Sequence, residues 1–116
     1  MTWYLLAHIL YKLYEQIGCE TIALRDLENL LSRLWVEHNV VLYENADLLH
    51  HDLEILARFG IVRLNDGDIV LNLDTLKKLE DIISRDPLLS NNSTYLAYLK
   101  ARIDKGLEHI NKCCSS

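Results

Sequence analysis

His50 and His51 lie between Asp47 and Glu54, the densest group of metal- or proton-handling side chains in the chain. On a helix, Asp47 with His51 and His50 with Glu54 are four residues apart, the spacing at which two side chains can share an ion. Glu37 and His38 could add ligands from the segment before. The same pattern describes a solvated polar stripe with ion pairing along one helix, and that is the reading adopted: no metal is expected. Asp66 and Asp68 look like a paired carboxylate until Gly67 between them is noticed, and turn chemistry explains both. His8 and His109 are expected at a surface or interface. The three cysteines are Cys19, Cys113 and Cys114, with no Cys-x-x-Cys among them. An odd count argues against a disulfide framework, and adjacent cysteines near a terminus read as exposed thiols. There is no glycine-rich phosphate loop, no serine in a nucleophile elbow and no cysteine beside a histidine. No catalytic residue and no cofactor follow from the sequence, and an enzyme is not expected.

The elements that must position these residues are set by size and patterning. At 116 residues the chain suits one domain able to bury roughly two-thirds of its unfolded surface. No run approaches the ~20 apolar residues of a membrane span. The first residues lack the basic start of a secretory signal, so a cytoplasmic address is the default. The net charge is −5 and unevenly spread. From Leu34 to Ala57 there is no Lys or Arg, whereas Glu37, Glu44, Asp47, Asp52 and Glu54 all fall there. From Lys77 to Lys112 the balance turns slightly basic, and this asymmetry constrains partners.

Trp3, Leu6, Leu10, Leu13 and Ile17 recur at intervals of three and four, predicting a first helix over 3–17 that Gly18 stops. Tyr4, Leu5, Ile9, Tyr11 and Tyr14 widen its apolar surface beyond one stripe, as in a helix covered on more than one side. A short extended piece, Glu20 to Ala23, precedes a second helix carrying Leu24, Leu27, Leu30, Leu31 and Leu34. Trp35 to Tyr43 is ambiguous. Asn45 caps a third helix from about Ala46 to Phe59 with Ala46, Leu49, Leu53, Leu56 and Phe59 inward. Asp66-Gly67 between two apolar runs predicts a type I′ hairpin, with Val62, Leu64, Ile69 and Leu71 on one buried face. A fourth helix spans about Asp74 to Ser84 with Leu76, Leu79, Ile82 and Ile83 inward. After a connector over 86–92, Ser93 or Thr94 caps a last helix that carries Leu96, Leu99, Ile103, Leu107 and Ile110.

The order helix, short strand, helix, helix, hairpin resembles the winged helix-turn-helix superfamily. Thr21 to Leu31 and Leu49 to Val62 carry the resemblance, the second through its leucine spacing and the run Phe59-Gly60-Ile61-Val62. The implied fold is mainly α (α+β): a winged helix with a two-stranded wing plus one or two C-terminal helices. Residues 1–85 would form that domain, 86–92 the connector, and 93–116 a dimerisation helix with a frayed tail. Small members of the superfamily pair such a helix with the first one across a two-fold axis, which implies a homodimer. Its interface would use Trp3, Tyr4, Leu6, Leu10, Tyr11, Tyr14, Leu96, Leu99, Ile103, Leu107 and Ile110.

The resemblance also implies a DNA-binding regulator, with the third helix in the major groove and the wing on phosphate. Arg58, Arg63, His50 and His51 would then touch nucleic acid. Phosphate contact requires Lys or Arg, and this face sets two arginines against Asp47, Glu54, Asp66 and Asp68. The competing expectation is a protein-interaction module, which the aromatic residues Trp35 and Tyr43 beside that face would suit. A third places DNA on Lys77, Lys78, Arg85, Lys100, Arg102 and Lys105.

Overall fold

The computed structural model describes residues 2–87 and 94–108. Helix α1 (Thr2–Ile17) is the rod around which the rest is built. Leu5, Leu6, Ala7, His8, Ile9, Leu10 and Leu13 are all buried, because α3 (Ala46–Arg58), α4 (Leu73–Arg85) and α5 (Tyr95–Leu107) pack around it. Its broad apolar circumference is therefore covered from within the chain. Gly18, at φ 83°, ends it and donates to the Tyr14 carbonyl.

Strand β1 (Thr21–Ala23) leads into α2 (Leu24–His38). This helix continues through Trp35–His38, residues that the apolar pattern left ambiguous. It stops where Asn39 turns left-handed at φ 57°, which lets the Asn39 and Val40 amides reach the carbonyls of Trp35 and Leu34. Buried Val40 then anchors the connection to α3. The Asn45 side chain accepts from the Leu48 amide at 3.0 Å, as a helix cap should. Asn45→Ala should cost about 1 kcal/mol in chemical denaturation, with an unchanged slope against denaturant.

Strands β2 (Val62–Asn65) and β3 (Asp68–Leu71) form the expected hairpin, Val62 opposite Leu71 and Asn65 opposite Asp68. Positive φ at Asp66 (46°) and Gly67 (83°) makes the two-residue turn. Strand β1 adds antiparallel to β3, so the sheet order is β1-β3-β2. The fold is mainly helical with this small antiparallel sheet, an α+β class. Among the described residues no helix is long and apolar enough to cross a membrane.

Four residues expected inside are exposed. Leu64 (43%) faces the same side as Ile69 but lies on edge strand β2, whereas Ile69 lies on the central strand. Phe59 (62%) stops at the end of α3, where its ring meets Trp3 at 5.8 Å. Ala46 opens α3 at the surface, and Ile82 is exposed while Leu76 and Ile83 face the core, with Leu73 and Leu79 packed beside them. Cysteine chemistry also differs from expectation: Cys19 is buried and disulfide-bonded. Cys113 and Cys114 lie outside the described residues, as do His109 and Ile110.

Helix α5 begins where the Thr94 hydroxyl accepts from the Ala97 amide at 3.1 Å. It lies against α1 and α2 of its own chain. Two features make the α2 contact close. A Cβ on Gly106 would run into Leu34 Cδ2, so the absence of a side chain sets the approach. One turn earlier, Arg102 Nε and Nη2 donate to the His38 carbonyl at 2.8 and 2.5 Å, closing the end of α2.

Candidate functional site

The apolar run Leu5–Leu10 of α1 places one polar side chain, His8, in the centre of the core. Helices α4 and α5 each bring a carboxylate to it. Nδ1 lies 2.9 Å from Glu80 Oε1 and Nε2 lies 2.5 Å from Asp104 Oδ1. A neutral imidazole would turn one lone pair toward a carboxylate oxygen, whereas an imidazolium donates to both. Burial pushes the His8 pKa down, but the hydrogen bonds and charges of Asp104 and Glu80 outweigh it and leave it raised. Burial likewise pushes the Asp104 carboxyl up, but His8 and then Lys100 bring it below its ordinary value. Lys100 Nζ reaches Asp104 Oδ2 at 3.2 Å, and Glu80 Oε2 is buried without a partner among the described residues. With both ring nitrogens occupied, His8 has no free lone pair to act as a general base. The cluster ties α1, α4 and α5 together. Sequence reasoning placed His8 at a surface or interface, and burial between helices overturns that. A lone histidine within six buried positions was the available signal.

The residues expected to contact nucleic acid lie on α3 and the hairpin. Asp47, His50, His51, Glu54 and Arg58 all face solvent on α3, and Arg63, Asn65, Asp66 and Asp68 do so on the hairpin. Among the described residues no group of three His, Cys, Asp or Glu could hold a metal ion. Asp52 departs from this stripe: it falls with Leu49, Leu53 and Leu56 on the inner side of α3 and is buried. The Tyr43 hydroxyl donates to its Oδ2 at 2.6 Å, fastening the 39–45 connection onto α3. Under that connection lies a cleft of about 210 Å³ between α2 and α3, lined in part by Leu31, Trp35, Val41, Tyr43 and Leu49. Trp35 is 48% exposed, with Val36, Val41 and Leu48 also open to solvent nearby in sequence.

Half of the six cations that offer an alternative surface for DNA are engaged. Arg102 closes α2 and stacks over Tyr98, Lys100 pairs with Asp104, and Arg85 reaches Asp81 at 3.6 Å. Lys77, Lys78 and Lys105 remain at the surface. Of the residues expected at a dimer interface, Leu6, Leu10, Leu99, Ile103 and Leu107 are buried inside the single chain. Trp3, Tyr4, Tyr11, Tyr14 and Leu96 are half-buried against the core. The first and last helices do meet, but within one chain.

No protein family, curated protein or solved structure matches this chain.

Proposed function

We propose that the chain is a non-enzymatic winged-helix domain whose α2–α3–hairpin face recognises a protein partner. The order of elements and the β1-β3-β2 sheet support the winged-helix reading, with α3 where such a domain carries its recognition helix. The observation that carries the choice of partner is the character of that face: acidic and apolar side chains stand exposed, and no Lys or Arg occurs between Leu34 and Ala57. Most non-specific affinity for a duplex comes from cations set against phosphate, and this face repels phosphate. Half-exposed aromatic and aliphatic residues beside acidic ones suit a protein interface.

A second reading, a DNA-binding transcription regulator, draws on the same topology and on the exposed Arg58 and Arg63, with His50 and His51 exposed on α3. As a homodimer it would rest on what α1 and α5 leave outside, chiefly the stacked Tyr95 and Tyr98 rings, 6.3 Å apart. Electrophoresis with random duplex at low salt separates the readings. No retardation at high micromolar protein is expected. Retardation that weakens steeply with salt and disappears in Arg58→Ala/Arg63→Ala overturns the protein reading in favour of DNA.

A further inference from the structure

We infer that the cleft between α2 and α3 docks a short cationic segment of a partner protein, one large apolar side chain entering it and Lys or Arg flanking that anchor. This inference rests on the protein-recognition reading and specifies its partner. A cavity of roughly 150 Å³ suffices for benzene, so about 210 Å³ between Leu31, Trp35, Val41 and Leu49 has room for an aromatic or branched side chain. Most of the lining side chains are apolar and several are already partly open, so filling the cleft removes apolar surface from water.

The charge around it selects the flanks of the ligand. Glu28 and Glu44 line the cleft itself, Asp47 follows directly on α3, and Glu37 stands on the last turn of α2. The cation nearest in sequence, Arg33, is turned to Glu37 at 3.8 Å. No Lys or Arg follows in sequence until Arg58, and Arg102 of α5, beside the end of α2, is turned to the His38 carbonyl. An acidic or neutral segment would leave these carboxylates without counter-charge, whereas Lys or Arg on either side of the anchor complements them. The Tyr43–Asp52 hydrogen bond holds the roof of the cleft on α3, so the site is formed before the ligand arrives.

The test uses a synthetic amphipathic peptide of Lys and Leu, and the same peptide with Glu in place of Lys. The readout is the indole N–H resonance of Trp35 in the isotopically labelled chain, assigned by its survival in Trp3→Phe. The Lys/Leu peptide should shift this resonance saturably. Its affinity should fall roughly tenfold, the equivalent of about 1.4 kcal/mol, in Glu44→Lys/Asp47→Lys, whose exposed positions leave folding intact by circular dichroism. The Glu/Leu peptide should shift nothing. An equal response to both peptides, or unchanged affinity in the charge-reversed variant, overturns the proposal. Absence of any shift sinks the cleft as a docking site, while the protein-recognition reading still stands or falls on the duplex assay. A chain that sediments as a dimer through this cleft, and as a monomer in Val41→Glu, makes a second copy the occupant and also overturns the proposal.

Discussion

His8→Leu should be among the most damaging single substitutions in the molecule, lowering unfolding free energy by about 3 kcal/mol in urea denaturation. Removing one member of a buried ion group costs about 3–5 kcal/mol because the remaining charges lose their partner. The lower end applies because Asp104 keeps about a third of its side chain in water. Replacing all three members, His8→Leu with Glu80→Leu and Asp104→Leu, should recover most of the loss, since an apolar set of similar volume carries no stranded charge. A single variant as stable as wild type would contradict the buried cluster. The same geometry fixes the pH response. His8 is raised above its ordinary 6.5, so its stabilisation is complete below that value and disappears as pH rises through the higher folded value. Asp104 is lowered from 3.8, so its stabilisation is complete above that value and disappears as pH falls through the lower folded value. The thermal midpoint should therefore decline as pH rises above 6.5, the ordinary histidine value. In His8→Leu that decline should be absent.

Gly106→Val should be the second large effect, a loss of about 2–3 kcal/mol through overpacking. Helix propensity alone predicts the opposite for Gly106→Ala, a gain of up to about 1 kcal/mol. Leu34 Cδ2 and the His38 ring stand where the new Cβ would go, and Leu34 is wholly buried, with little freedom to move aside. Even alanine should therefore destabilise. Combining Gly106→Ala with Leu34→Ala should cost less than the sum of the two, because both act on one contact. A Gly106→Ala variant more stable than the parent would show that α5 does not approach α2 this closely.

How far these features could be read from the residues depends on how local their causes are. The hairpin follows from Asp66-Gly67 alone, since few other pairs accept positive φ twice, and its register came out as expected. The caps at Asn45 and Thr94 were equally plain. The end of α2 was not, because Val36 and the mixed polar run after it carry no apolar period; Asn39, tolerant of a left-handed turn, was the available sign. The breadth of the apolar surface on α1 was visible, but whether a second copy or the same chain covers it was not. The His8 cluster was beyond reach, since Glu80 and Asp104 are 72 and 96 residues away and look on their own helices like ordinary surface carboxylates. Gly106 gave no sign either, because its role is set by Leu34 on another helix. The outer side of α3 was the reverse case: its stripe of Asp47, His50, His51, Glu54 and Arg58 was legible as exposed, and only the cleft beside it required the fold.

On the proposed reading, this face takes a cationic protein segment and refuses DNA. Backbone amide shifts of the labelled chain, recorded at low salt first with a random duplex and then with the Lys/Leu peptide, test it directly. No perturbation is expected along α3 or Asn65–Asp68 with the duplex, and shifts should gather on Trp35, Val41 and Tyr43 with the peptide. Perturbations running from His50 through Arg58 to Arg63 with the duplex, erased by added salt, would contradict it.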